Sequence, residues 1–146
     1  MIRVEDLTLQ HVKSAHEDIR MEDRMEWLAA GGVDVIEHFE VHPPQAGDRV
    51  ALDEGGNVMC LWGSRGDPAH VWLVATDSAV PRARAIHRHL KSELSVILER
   101  HPTIECWADS RNVKHHEWLH WLGFEYVTEE FYGVLGLPFK HFIKRT

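Results

Sequence analysis

The sequence predicts an α/β fold, a single domain over residues 1–146 with a mixed central sheet flanked by helices. Two observations carry this. Three strand candidates follow one another at 49–53, 58–62 and 70–76, separated by turn residues as in a meander. A long amphipathic helix then separates the third candidate from another apolar strand at 103–108. A run of strands followed by a helical crossover to the next strand implies a mixed sheet.

The elements read in order as follows. Met1 to Val4 is a short first strand. Glu5 and Asp6 open a helical pattern to about His16, with Leu7, Leu9, Val12 and Ala15 as its apolar set. Asp18 to Ala30 is a second helix, stopped by Gly31-Gly32. Val33, Val35, Ile36 and Phe39 make a third helical piece, and His42 to Gly47 is a loop. Arg49–Asp53 and Val58–Trp62 flank Glu54-Gly55-Gly56-Asn57 and read as a hairpin. Val71 to Ala75 is continuously apolar, as a strand covered on both faces is.

Pro81 suits a first helical turn. The helix it opens runs to about Arg100, with Ile86, Leu90, Leu94, Ile97 and Leu98 on one face, and Pro102 closes it. After the strand at 103–108, residues 112–122 form the last helix. Short strands are expected at 125–128, 131–135 and 139–144. No repeat, low-complexity tract or linker interrupts the chain.

Composition narrows the function. Charged residues make up 27% and hydrophobic ones 44%, which is globular rather than disordered. A net charge of −7 argues against nucleic acid as the main partner, although Arg82, Arg84, His87, Arg88, His89 and Lys91 cluster in sequence. No apolar run of membrane-spanning length and no secretory leader pattern is present. Cys60 and Cys106 sit within apolar strands and read as buried free thiols in a reducing compartment. Six tryptophans are many for this length. Those at 62, 72 and 107 fall in strands and read mostly as core, while one or two of the rest suit a partner surface.

Residues 112–124, Asn-Val-Lys-His-His-Glu-Trp-Leu-His-Trp-Leu-Gly-Phe, hold the most information. Asn112 suits a helix cap and Gly123 a helix stop. Within this stretch His116-Glu117-Trp118-Leu119-His120 fits the zinc-protease pattern His-Glu-x-x-His, with two ligands one turn apart and a glutamate to activate water. A third ligand is expected three residues beyond Gly123, where Tyr126 stands. With twelve histidines, the pattern arises by chance in roughly one such chain in ten. On a helical projection Trp118, Leu119, Trp121 and Leu122 form one arc with His115 inside it. His116, Glu117 and His120 fall on the polar side, where a solvated face explains them without metal.

The order of elements, together with the Asn112-to-Gly123-Phe124 spacing, resembles the GNAT superfamily of N-acetyltransferases. Within it the chain resembles the internal virion or assembly protein family of short-tailed phages. That likeness rests on Ala15-His16-Glu17-Asp18-Ile19, the strand Val71 to Thr76, the last helix, and the tail Gly136-Leu137-Pro138-Phe139-Lys140-His141-Phe142. It implies a role in particle assembly, with virion or scaffold proteins as partners. The location implied is the cytoplasm of an infected bacterial host, or the virion.

The broader resemblance implies a coenzyme site. The main chain of Val74, Ala75 and Thr76 would pair with the pantetheine of acetyl-CoA, Arg82, Arg84 and Ala85 would sit at its phosphates, and Asn112 would line the acceptor side. Two departures weigh against transfer. The family's phosphate loop, Gln/Arg-x-x-Gly-x-Gly/Ala, lets backbone amides approach a diphosphate. Here it reads Val80-Pro81-Arg82-Ala83-Arg84-Ala85, with Ala83 for the first glycine and Pro81 removing one donor. Leu119 stands where many members carry a proton-donating tyrosine. Tyr126, Tyr132, Glu125, Asp77 and Asp109 are the remaining proton-transfer candidates, and each has a simpler reading as a strand, cap or turn residue.

The expectation is therefore a GNAT-like domain with a phage-assembly role and weak or no catalysis. The alternative is an acetyl-CoA-dependent N-acetyltransferase acting on an amine. A metalloprotease is the weakest of the three readings.

Overall fold

The computed structural model describes residues 1–146. Its first strand, β1 (Arg3–Asp6), leads into α1 (Leu9–Ala15), which begins at a reciprocal cap. Thr8 accepts from the His11 amide while the His11 ring accepts from the Thr8 amide. Helix α2 (Met21–Gly31) ends at Gly32 in the left-handed region, and α3 (Val35–Val41) starts where Asp34 accepts from the Val35 amide. Then come β2 (Arg49–Leu52), β3 (Val58–Arg65), β4 (Ala69–Ala75), α4 (Ala83–Arg100), β5 (Thr103–Asp109), α5 (Val113–Trp121), β6 (Glu125–Tyr132) and β7 (Leu137–Arg145).

The seven strands form one mixed sheet in the order β1-β2-β3-β4-β5-β7-β6. β1 to β4 pair antiparallel, β4 and β5 pair parallel across the α4 crossover, and β7 inserts between β5 and β6. Helices α4 and α5 cover one face. Ile86, Leu90 and Leu94 from α4 and Trp118 and Leu119 from α5 join Met59, Leu73 and Ile104 there. Helices α1 and α3 cover the opposite face, where Val12, Val35 and Phe39 pack on Val50, Leu61 and Val74. Trp27 and Trp72 flank Phe39. A methyl group at Gly63 would lie 2.2 Å from Asp48 Oδ1 and 2.7 Å from the Trp72 ring, so glycine there lets both side chains lie against the strand.

The expected fold class stands, and its edges move. The chain from 125 to 132 is one strand, where two short ones were expected. Gly133 and Gly136, both at positive φ, form the turn that was read as strand 131–135. The expected helix start at Pro81 is a 3-10 turn over Asp77–Arg82 and the α-helix begins at Ala83. The Ala79 amide bonds the Thr76 carbonyl and the Ala83 amide bonds the Val80 carbonyl, which winds the segment tightly. Both cysteines are buried and free. No helix is long and apolar enough to cross a membrane.

Candidate functional site

Parallel pairing between β4 and β5 is brief. It comprises Ala69 with Ile104 and His70 with Glu105. Beyond those residues β4 stays on β3 and β5 stays on β7. The sheet therefore opens into a V between Val71–Ala75 and Cys106–Asp109. This gap is the one place where the interior of the sheet offers main chain to something other than a strand.

A side-chain network from α2 and α5 fills the wide end of the V. On the β4 side, Asp23 Oδ2 accepts from the Ala75 amide at 2.8 Å, and the Arg20 amide donates to the Ala75 carbonyl at 3.0 Å. On the β5 side, Glu26 Oε1 accepts from the Asp109 amide at 2.7 Å. Arg20 Nη1 donates to Asp23 at 3.0 Å and to Asn112 Oδ1 at 3.3 Å, and Asn112 Nδ2 donates to Asp23 at 2.7 Å. Glu26 also accepts from His115 Nδ1, at 3.0 and 3.1 Å. Arg20, Asp23, Glu26, Asn112 and His115 are all buried. Buried charges persist when their partners are complete, and two cations here face two carboxylates.

The network shifts its own protonation. Burial, reinforced by Glu26, pushes the Asp23 carboxyl up to about 6, against the opposing pull of His115 and Arg20. Burial disfavours the His115 imidazolium, but Glu26 and the Cys106 sulfur more than offset it and hold the ring well above the usual histidine range. The other ring nitrogen, Nε2, lies 3.9 Å from Cys106 Sγ.

Below this network a cavity of about 300 Å³ opens on the α2 face. Its walls include Glu26 and Trp27 of α2, Trp72 of β4, Cys106 and Trp107 of β5, and Tyr132 of β6. Trp107 is stacked between Tyr132 and His141 at 4.4 and 4.2 Å. Arg65 at the rim lies over Trp72 and is paired with buried Asp48. Burial lowers the pKa of His38 and of His70 in the walls, which keeps them neutral at neutral pH.

The residues singled out from the sequence divide between this site and its surroundings. Val74 is packed in the core on β3, and the Thr76 hydroxyl bonds the Val58 and Met59 carbonyls. Ala75 and Asn112 lie within the network. Asn112 occupies the cap position of α5, yet its side chain makes no cap bond because Asp23 and Arg20 engage it. Arg82 holds Glu54 with both terminal nitrogens, at 2.8 and 3.0 Å. Arg84 is exposed, while Ala85 packs on the core. Among the proton-transfer candidates, Asp109 is paired with Arg111, which outweighs burial and keeps its carboxyl low. His116 was expected on a solvated face. It is half-buried, with Nε2 2.9 Å from the Asp109 carbonyl, while His120 is exposed.

Sequence reasoning did not find Arg20, Asp23 or Glu26. The only signal was that the inward stripe of α2 is broken by two carboxylates three residues apart.

A coenzyme fits this structure in part. His87 is buried between Trp118 and Trp121 in the cleft of α4 and α5, and neither ring nitrogen has a partner. Orphaned polar atoms of that kind suit a polar ligand in the cleft. The Ala75 edge, in contrast, is taken by Asp23 and Arg20, and the Ala79 and Ala83 amides are spent on the Thr76 and Val80 carbonyls.

No protein-family model and no curated protein matches the chain. Solved structures do. The chain is similar over 99% of its length to 94% of an acetyltransferase (GNAT family) from Bacillus anthracis, at 8% identity and a TM-score of 0.74. It is similar to 95% of spermidine N-acetyltransferase from Vibrio cholerae, solved in complex with CoA and spermine, at 13% identity and a TM-score of 0.69. It is also similar to 88% of a GNAT superfamily phosphinothricin acetyltransferase from Sinorhizobium meliloti, solved in complex with AcCoA, at 15% identity and a TM-score of 0.65. At these identities the likeness establishes the fold, which is that of the GNAT acetyltransferases. Nothing in these comparisons links the chain to phage virion proteins.

Proposed function

We propose that the chain is an acetyl-CoA-dependent N-acetyltransferase acting on an amine. The parting of β4 from β5 above a cavity of about 300 Å³ carries this reading. It provides a gap through the sheet, with a narrow apolar pocket on the α4/α5 face and an aromatic chamber on the α2 face. The similar structures solved with CoA or AcCoA support a coenzyme of that class.

The coenzyme supplies an activated acyl group. Its arm would enter between α4 and α5, past His87, and the exposed Arg84 would stand near its phosphates. The amine would occupy the aromatic chamber, which Glu26, Trp27 and Trp72 line and where a carboxylate beside indole rings suits a cation. Glu26 and His115 lie where the amine must lose its proton. Pairing of the arm with the Ala75 main chain requires Asp23 and Arg20 to withdraw, so binding is coupled to rearrangement of the network.

Calorimetric titration with acetyl-CoA tests the reading. A Kd below about 100 μM, roughly −5.5 kcal/mol, is expected. Absence of heat at millimolar ligand refutes it. That second result favours a GNAT-fold protein that has given up transfer and serves particle assembly. The closed Ala75 edge and the glycine-free loop from Val80 to Ala85 are the observations on that side.

A further inference from the structure

We infer that Cys106, His115 and Glu26 form a nucleophile, base and orienting group, with Cys106 Sγ taking an acyl group from a thioester and passing it to the amine. This rests on the acetyltransferase reading above and adds a covalent step to it.

The three side chains come from β5, α5 and α2 and meet in the V of the sheet. Glu26 is held by the Asp109 amide at 2.7 Å and receives His115 Nδ1 at 3.0 Å. With Nδ1 engaged, Nε2 faces Cys106 Sγ at 3.9 Å. Contacts of this kind are commonly long without substrate and shorten when it binds. The order of roles, a thiol beside an imidazole oriented by a carboxylate, is that of cysteine acyl-transfer enzymes on other folds. Cys60 is equally buried but has no such base. Burial and the nearby Asp23 push its thiol far up, which makes it an internal control.

Access supports the assignment. Cys106 lines both the large chamber on the α2 face and the narrow apolar pocket on the α4/α5 face, which Leu73, Leu90 and Leu119 also line. The sulfur therefore lies between the side proposed for the donor and the side proposed for the amine. The chemistry also answers the loss of the tyrosine at Leu119, because His115 can return a proton to the leaving thiolate.

The step balances. From the state in which His115 Nε2 carries no proton, Cys106 Sγ gives its proton to that nitrogen and attacks the thioester carbonyl. The carbon–sulfur bond to the donor breaks, and the departing thiolate takes the proton from His115. The neutral amine then attacks the acyl-cysteine, His115 accepts the amine proton, and the Cys106 thiolate leaves as the amide forms.

The test uses an acyl donor without coenzyme. The intact chain is incubated with p-nitrophenyl acetate, released nitrophenolate is followed, and peptides are mapped by mass spectrometry. One acetyl group on the Cys106 peptide and none on Cys60 is expected, with the nitrophenolate burst lost in Cys106→Ala. His115→Gln should slow acylation by about 100-fold, the lower end of what a general base contributes. If that variant does not fold, rapid iodoacetamide alkylation of wild-type Cys106 against an inert Cys60 supplies the same evidence. Wild-type Cys106 left unmodified by both reagents overturns the inference. So does undiminished amine acetylation by Cys106→Ala, which leaves the acetyltransferase reading intact. Acetylation of Cys106 by the nitrophenyl ester with no heat on acetyl-CoA titration has the opposite meaning: the triad stands and the coenzyme assignment fails.

Discussion

Asp23→Asn tests whether the buried network is wired as described. Asp23 receives three donors: Arg20 Nη1 at 3.0 Å, Asn112 Nδ2 at 2.7 Å and the Ala75 amide at 2.8 Å. Its carboxyl is raised from 3.8 to about 6, chiefly by burial. The folded chain thus holds this proton more tightly than the unfolded chain does. The stabilisation is complete below the unfolded value and is lost as pH rises through the folded one. A gap of about two units at 1.36 kcal/mol each gives roughly 3 kcal/mol. Asparagine does not titrate, so the variant lacks this slope, and groups that do not interact with Asp23 cancel in the difference. The variant has its own defect. Whichever way the amide is turned, its NH2 faces a donor, either the Ala75 amide or the Arg20–Asn112 pair, at a cost of about 1–3 kcal/mol. The two effects offset one another near neutrality. Urea unfolding should therefore find wild type more stable at about pH 4 and the two proteins nearly equal at about pH 7. Parallel stability curves across that range would show that Asp23 is not buried as an ionisable partner of Ala75.

Three further substitutions test the packing around the chamber. Gly133 and Gly136 both have positive φ, but a methyl group at Gly133 would lie 2.7 Å from Ala30 Cα, whereas one at Gly136 meets nothing within 4 Å. Gly136→Ala should cost about 1 kcal/mol of backbone strain. Gly133→Ala should cost about 2–3 kcal/mol more, because the Val134 and Leu135 amides also lose the Ala30 and Ala29 carbonyls. Equal shifts in thermal midpoint would contradict the close approach. Arg65→Met removes both guanidinium bonds, at 2.7 and 2.8 Å, from the buried Asp48 carboxylate. A loss of about 3–5 kcal/mol is expected, largely recovered by the second change Asp48→Asn; a loss under about 1 kcal/mol in denaturant melts would mean that Asp48 is solvated.

The fold was legible where hydrophobic pattern and punctuation agree. The run Val71–Ala75 marks β4, Pro102 ends α4, and the stripe through Ile86, Leu90 and Leu94 packs on the sheet as its period demands. Pattern failed where backbone conformation decides. Phe131 to Leu135 is apolar enough to read as strand, yet Gly133 and Gly136 turn the chain there and the β6–β7 loop caps the carbonyl end of α2. The candidate site was largely illegible for another reason. Asp23 and Glu26 face inward from α2, in positions where a core helix carries apolar residues, and only the V between β4 and β5 explains why. That gap is a property of how β4 pairs with β5 across the whole of α4, and no local window records it.

Helix α5 shows how position decides among the histidines. His116 and His120 match a zinc pattern by spacing, but in the fold His116 Nε2 meets the Asp109 carbonyl and His120 lies in solvent. A metal site needs free nitrogens converging on one point, and His116 already spends Nε2 on a backbone carbonyl. His115, one residue earlier, breaks the apolar arc of the same helix. Its neighbours in that arc, Trp118 and Leu119, are core, so a histidine there must be satisfied from another element, and Glu26 of α2 does this across the open sheet. An imidazole placed so, with a carboxylate on one nitrogen and a thiol facing the other, is the group on this helix whose surroundings suit proton transfer. If α5 carries chemistry in this chain, it acts through His115.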